Sequence, residues 1–87
     1  MPKFSVIIVN YNAGDRLRRC LDRLADQQWR DFETIVIDNA SVDDSISLAK
    51  ASRASFRLID AGANLGFAAA NNRAVTEASG AWLVFLN

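Results

Sequence analysis

The 87-residue sequence contains no histidine, which excludes a histidine-based catalytic triad or zinc site. Its one cysteine, Cys20, cannot form an internal disulfide. That fits a reducing compartment and makes the cytoplasm the default location. Neither sign of charge is in excess, because ten Lys and Arg balance ten Asp and Glu. Nothing therefore favours electrostatic capture of nucleic acid or of an anionic membrane. No apolar run is long enough to span a bilayer, and the opening MPKFSVIIVNYN is too short for a signal peptide. Glycine is missing where a pyrophosphate would need it. The turn after the first apolar run reads Asn10-Tyr11-Asn12-Ala13-Gly14, not Gly-x-Gly-x-x-Gly, and no Gly-Lys-Ser/Thr occurs anywhere.

What is present is a core. Hydrophobic residues make up 51% of the chain, enough for a packed globule and, at this length, for at most one small domain, residues 1–87. The chain is organised around Glu33 to Asp44, ETIVIDNASVDD. An apolar run, Ile35-Val36-Ile37, stops at the acid Asp38, and open α/β sheets build ligand sites from such strand ends. Phe4 to Val9 is a continuous β-branched run of the kind buried on both faces. Leu17, Leu21, Leu24, Ala25 and Gln28 fall on one helical stripe within Asp15 to Gln28, with arginines and aspartates on the others. Those arginines read as a solvated face, and Cys20 as a small thiol at the core boundary.

Thr34 to Ile37 is the second predicted strand. Ser41-Val42-Asp43-Asp44 has capping-box spacing for a helix running to about Ser52. Phe56 to Ile59 is a third strand, Phe67 to Ser79 a third helix stopped by Gly80, and Ala81 to Leu86 a fourth strand. The order β-α-β-α-β-α-β implies a parallel sheet with right-handed crossovers. All strand-to-helix turns then share one edge. Asn10 to Asn12, Asp38 to Ser41, Asn64 to Gly66 and Asn87 fall there, while the opposite strand ends carry mostly ordinary loop residues. Trp82, Val84 and Phe85 are expected to lack cover, which predicts poor solubility or self-association.

Several residues on the polar edge suit a nucleoside. Tyr11 offers a flat ring for stacking on a base, or is a half-buried aromatic. Asp38, an acceptor when ionised, matches a ring N–H or a sugar hydroxyl, or serves as a turn-former or helix cap. Asn64 and Asn71 can donate and accept around the same groups, although Asn71 is equally readable as a structural amide. Asp43 and Asp44 read as capping acids that complement a helix dipole.

Four segments together resemble the family 2 glycosyltransferases: Ser5 to Asn12 (SVIIVNYN), Val36 to Asp43 (VIDNASVD), Asn64 to Asn72 (NLGFAAANN) and Trp82 to Asn87 (WLVFLN). The resemblance covers essentially the whole chain and is similar to the rhamnosyltransferase-like branch. It implies a GT-A (Rossmann-like) fold and inverting transfer of a sugar from a nucleotide-diphosphate sugar, a UDP- or dTDP-sugar, to a glycan or lipid-linked acceptor hydroxyl. It implies that Val9, Tyr11, Asp38, Asn64, Gly66 and Asn71 line the nucleotide pocket. It also implies a divalent metal, Mg²⁺ or Mn²⁺, acting as a Lewis acid on the departing diphosphate, and a separate carboxylate acting as general base. The family's metal acid lies in an Asp-x-Asp-type motif directly after strand four, and the sequence ends at Asn87. The expectation is thus an N-terminal nucleotide-binding half that is inactive alone. Family members often work at the inner membrane face, which extends to the whole protein the expectation of peripheral membrane association in surface-polysaccharide synthesis. Two other readings stand beside this one: a non-catalytic nucleotide-binding module from a truncated or decayed gene, and a dinucleotide-binding Rossmann half.

Overall fold

The computed structural model describes residues 2–28 and 30–86, so the expectation for Asn87 lies outside the described residues. Seven elements follow one another: β1 (Phe4–Asn10), α1 (Asp15–Ala25), β2 (Phe32–Asp38), α2 (Ser45–Ala49), β3 (Arg57–Asp60), α3 (Phe67–Val75) and β4 (Trp82–Leu86). The strands form one parallel sheet in the order β3-β2-β1-β4. The alternating α/β architecture expected from the sequence is present.

Alternation along the two central strands sorts the core into two layers. Val6 and Ile8 of β1 and Val36 of β2 pack with Leu17 and Leu21 of α1 and Ala49 of α2. Ile7, Ile35 and Ile37 face the other way and pack with Ile59 of β3 and with Ala70 and Ala74 of α3. The β-branched runs look continuous because helices cover both faces. Alanines on α3 have no long side chains to hold the helix away from Ile7 and Ile35. On the outer side of α1, Arg18 pairs with Asp15 at 2.7 Å and Asp22 at 3.3 Å, the solvated ion ladder expected there. Cys20 packs at the core boundary, and burial pushes its thiol pKa up. No helix among the described residues is long and apolar enough to cross a membrane.

Each helix is shorter than its apolar pattern predicts. α1 ends at Ala25 rather than Gln28: the Asp26 N–H bonds back to the Asp22 and Arg23 carbonyls, and the Arg30 guanidinium donates to the Ala25 carbonyl at 2.7 Å. α2 begins at Ser45, not beside Ser41, and its N-cap Asp44 makes no side-chain capping bond. Beyond Ala49, i→i+3 bonds carry the chain through single turns to Ser52. α3 stops at Val75, where the Thr76 hydroxyl donates to the Arg73 carbonyl at 2.7 Å.

Gly80 is not the helix stop that its position suggested. A methyl group added there would sit 2.6 Å from the Phe4 carbonyl carbon and 2.6 Å from the Ser5 nitrogen, so the loop into β4 needs glycine for close approach to β1. Around it lies a polar knot at the strand ends expected to carry mostly ordinary loop residues. Glu33 accepts hydrogen bonds from the Ser5 hydroxyl, the Ser79 N–H (2.6 Å) and the Ser79 hydroxyl (2.9 Å), while the Gly80 N–H donates to Ser5 Oγ at 2.8 Å. The sequence pattern missed it because Ser5 and Ser79 are far apart in the chain.

β4 is an edge strand, with Trp82, Leu83 and Phe85 exposed. The expectation for Val84 is corrected: it packs beside Leu86 against the α1 face. Leu83, not Val84, joins Trp82 and Phe85 as uncovered.

Two predictions follow from the knot. Gly80→Ala is expected to cost about 2–3 kcal/mol in urea unfolding, because backbone atoms must move. Burial works to raise the Glu33 pKa, but donors from Ser5 and Ser79 outweigh it and hold the carboxyl below its usual range. A depressed folded pKa stabilises the fold above the unfolded value of about 4.3 and loses that contribution as pH falls through the folded value. Glu33→Gln should therefore be less stable than wild type at pH 7, with the gap closing in acid unfolding curves below about pH 4. A gap independent of pH would contradict this.

Candidate functional site

The C-terminal ends of β1 and β2 meet over a buried amide. Asn10 is 1% exposed. Its Nδ2 lies 2.8 Å from Asp38 Oδ1, 2.9 Å from Ser45 Oγ and 3.1 Å from Ser41 Oγ. The Ser41 hydroxyl also donates to Asp38 Oδ1 at 2.6 Å, and its N–H donates to Asp38 Oδ2 at 3.2 Å. Asp38 thus has one oxygen with two donors and a second with one backbone donor. An ionised carboxylate oxygen accepts two bonds readily, so Oδ2 keeps acceptor capacity.

The turn between Asp38 and Ser41 is tight. Ala40 has φ 61°, a left-handed conformation that costs a non-glycine residue about 1–2 kcal/mol. The carboxylate bonds to Ser41 on its far side hold it. Asn12, also left-handed at φ 50°, ties the β1 turn to the same loop. Its N–H donates to Ser41 Oγ at 2.9 Å, and its Oδ1 accepts the Val42 N–H at 2.9 Å. Asp43 closes the loop by accepting from Ser45 N–H, Ser45 Oγ and Gly14 N–H. The Ser45 bond leads in lowering the Asp43 pKa. Ser41 and Asp43 therefore fasten loops together, and the capping box expected of Ser41 and Asp44 does not form.

Beside this network lies an open cavity of about 550 Å³, lined by Val9, Tyr11, Asn39, Asn64, Gly66 and Phe67. Four of the six sequence-derived candidates, Val9, Tyr11, Asn64 and Gly66, share that cavity. Asp38 and Asn71 do not line it. Asp38 is 8% exposed behind the turn, and Asn71 is buried on α3 with an Oδ1 that has no hydrogen-bond partner. Asn10 Oδ1 is likewise unpartnered.

Asn39 joins the cavity to the strand ends. Its N–H donates to the Asn10 carbonyl at 2.9 Å, its Nδ2 donates to the Gly66 carbonyl at 3.2 Å, and its Oδ1 accepts the Leu65 N–H at 3.3 Å. Gly66, at φ 81° and ψ 173°, occupies backbone space open essentially to glycine alone. Its N–H donates to Asn64 Oδ1 at 3.0 Å. Sequence reasoning gave no role to Asn10, Asn39 or Phe67. The two asparagines stood in polar turns and were visible as such, but Phe67 looked like an ordinary helix residue.

A second cavity of about 520 Å³ opens at the opposite end of the sheet, lined in part by Arg30, Arg53 and Arg57. Its cations are already engaged: Arg53 pairs with Asp26 at 2.8 Å, Arg57 pairs with Glu77 at 2.9 Å, and Arg30 holds Ala25.

Comparison with known proteins gives a consistent result. The pattern of glycosyl transferase family 2 matches residues 5–87. The chain is 39% identical over 88 residues to the uncharacterised glycosyltransferase YibD of Escherichia coli, covering 98% of this chain and 25% of that protein. It is also 39% identical to a PGL/p-HBAD biosynthesis glycosyltransferase of Mycobacterium bovis, covering 98% of this chain and 34% of that one. The chain thus spans about a quarter to a third of the length of these relatives. S. aureus TarS superposes with a TM-score of 0.88 at 28% identity, over 97% of this chain and 16% of TarS. The mannosyltransferase PcManGT of Pyrobaculum calidifontis, solved with GDP-Man and Mn²⁺, superposes with a TM-score of 0.80 at 26% identity, over 90% of this chain and 25% of that one.

The two buried amides predict opposite behaviour on truncation. Asn10→Ala removes a buried donor shared by Asp38, Ser41 and Ser45 and is expected to cost about 2–3 kcal/mol in urea unfolding. Asn71→Ala removes a carbonyl that bonds nothing in the protein, so its cost should stay below about 1 kcal/mol. Equal losses would contradict the assignment of Asn10 as the hub.

Proposed function

The chain belongs to glycosyltransferase family 2 and has the N-terminal part of a GT-A fold, and from that premise we propose that it recognises the nucleotide of a nucleotide-diphosphate sugar. The observation that carries the reading is the convergence of Val9, Tyr11, Asn64 and Gly66 on one cavity beside the Asp38 turn. In this reading Val9 provides apolar floor and the half-exposed Tyr11 ring stacks on the base. Asn64 offers its amide at the cavity edge, and Asp38 uses the spare capacity of Oδ2 for a ring N–H or a ribose hydroxyl. Asn71 stands one helical turn behind Phe67 with an unpartnered carbonyl, free to accept from the ligand once the pocket adjusts.

The reading extends to the whole protein as inverting transfer to a glycan or lipid-linked hydroxyl in surface-polysaccharide synthesis, with the protein cytoplasmic at the inner membrane face. Relatives named for PGL/p-HBAD, teichoic acid and amylovoran synthesis support the polymer class. UDP- and dTDP-sugars are the proposed donors, with a rhamnosyl donor suggested by motif flavour.

The family relationship also implies Mg²⁺ or Mn²⁺, which would supply Lewis-acid stabilisation of the leaving diphosphate. The residues in hand do not fit such an ion. Asp38 is tied to Asn10 and Ser41 with capacity left on Oδ2 alone, and Asp43 is tied to Ser45 and Gly14. No group of three or more Cys, Asp and Glu side chains able to hold a metal occurs among the described residues. The proposal therefore assigns donor recognition to these 87 residues and no part of the transfer step.

Titration calorimetry with UDP, dTDP, GDP and NAD tests it. At least one nucleoside diphosphate should bind with NAD silent, Asp38→Asn should weaken that binding, and the 87-residue chain should transfer no sugar. Binding of NAD alone, or of no nucleotide, would overturn the reading.

A further inference from the structure

Phe67 has no role in the site as proposed so far, yet it is placed unusually for a phenylalanine. It opens α3 with 52% of its surface exposed, although the same helix buries Ala70 and Ala74 completely. It lines the same cavity as Tyr11, whose exposure is 53%. Both half-exposed rings therefore border the same open space. Leaving a phenyl ring half in water forfeits much of the benefit of its burial.

The position of Phe67 is set by built contacts. Asn39, 2% exposed, holds both the Leu65 N–H and the Gly66 carbonyl. Gly66 then turns the chain through its glycine-only conformation directly into Phe67. The same Asn39 is bonded through its N–H to Asn10, the residue before Tyr11. One side chain and its backbone thus fix the start of α3 relative to the end of β1, and with it the spacing between the two aromatic residues.

We propose that Phe67 and Tyr11 form a two-walled slot for a flat heterocycle, with Phe67 as the second stacking surface for the nucleobase. The inference rests on the nucleotide reading above. It adds that binding strength in this chain comes from two faces of the base. A slot of this kind tolerates any base with a π-face, while the Asn64 amide at its margin meets the base edge.

The test uses the 87-residue chain and UDP, GDP and ribose 5-phosphate. Intermolecular NOEs from base protons should reach the rings of both Phe67 and Tyr11 in wild type. Phe67→Ala should weaken nucleoside diphosphate binding by about 10-fold or more, whereas Phe67→Trp should retain it and ribose 5-phosphate should bind weakly to all variants. An unchanged amide spectrum in free Phe67→Ala separates lost stacking from lost fold. If wild type binds nucleotide, but base NOEs reach Tyr11 alone and Phe67→Ala binds equally well, the second wall is wrong and the nucleotide reading stands. If wild type binds none of the nucleotides, the nucleotide reading fails and the slot fails with it.

Discussion

The hydrogen bond from Asn10 to Asp38 joins the ends of the two central strands, and the polar edge of the sheet is built outward from it. A buried amide facing a buried carboxylate is costly unless both are satisfied. Here Ser41 supplies further donors to the carboxylate and Ser41 and Ser45 accept from the amide N–H groups, while the amide oxygen keeps no partner. Because the same Ser41 hydroxyl also accepts the Asn12 N–H, the β1 turn and the β2 turn cannot move independently. Asn39 extends this coupling to Gly66 and α3. Three loops remote in sequence thus become one rigid rim, on which Tyr11, Asn64 and Phe67 are held around a single cavity.

The two ends of the sheet divide the work. At the N-terminal end, Glu33 is well supplied with donors, and Gly80 lets the loop into β4 lie against β1. That end ties the chain together. At the C-terminal end, Ala40 and Asn12 adopt left-handed conformations, two aromatic rings stand half in water, and Asn10 and Asn71 each keep an unpartnered carbonyl. Strain and unmet polar groups of this kind cluster where a protein meets a ligand. The contrast supports placing the ligand at the C-terminal edge, not at the arginine-lined cavity whose cations are already engaged.

Much of the fold was legible because its information is local. The β-branched runs of β1 and β2, the leucine stripe of α1 and the short polar turns each announce themselves within a few residues, and their order implies the parallel sheet. What was misread depends on contacts across the chain. Gly80 has the position of a helix stop, but its reason is the backbone of Phe4 and Ser5. Ser41 has capping-box spacing, but Asn10 and Asp38 claim its hydroxyl before a helix can. Four site candidates converge on one cavity because turn chemistry is local too. Asp38 and Asn71 are buried and do not line that cavity, because burial depth is set by packing, which no spacing reveals. Phe67 escaped notice because an apolar residue in an apolar helix gives no sign that the sheet leaves it uncovered.

Mapping of amide shifts along the chain during titration with UDP tests the location of the nucleotide most directly. The account predicts that the largest shifts cluster at residues 9–12, 38–41 and 64–67, with Glu33, Ser79 and Gly80 unmoved. Shifts centred on Arg30, Arg53 and Arg57 at the opposite end of the sheet would contradict it.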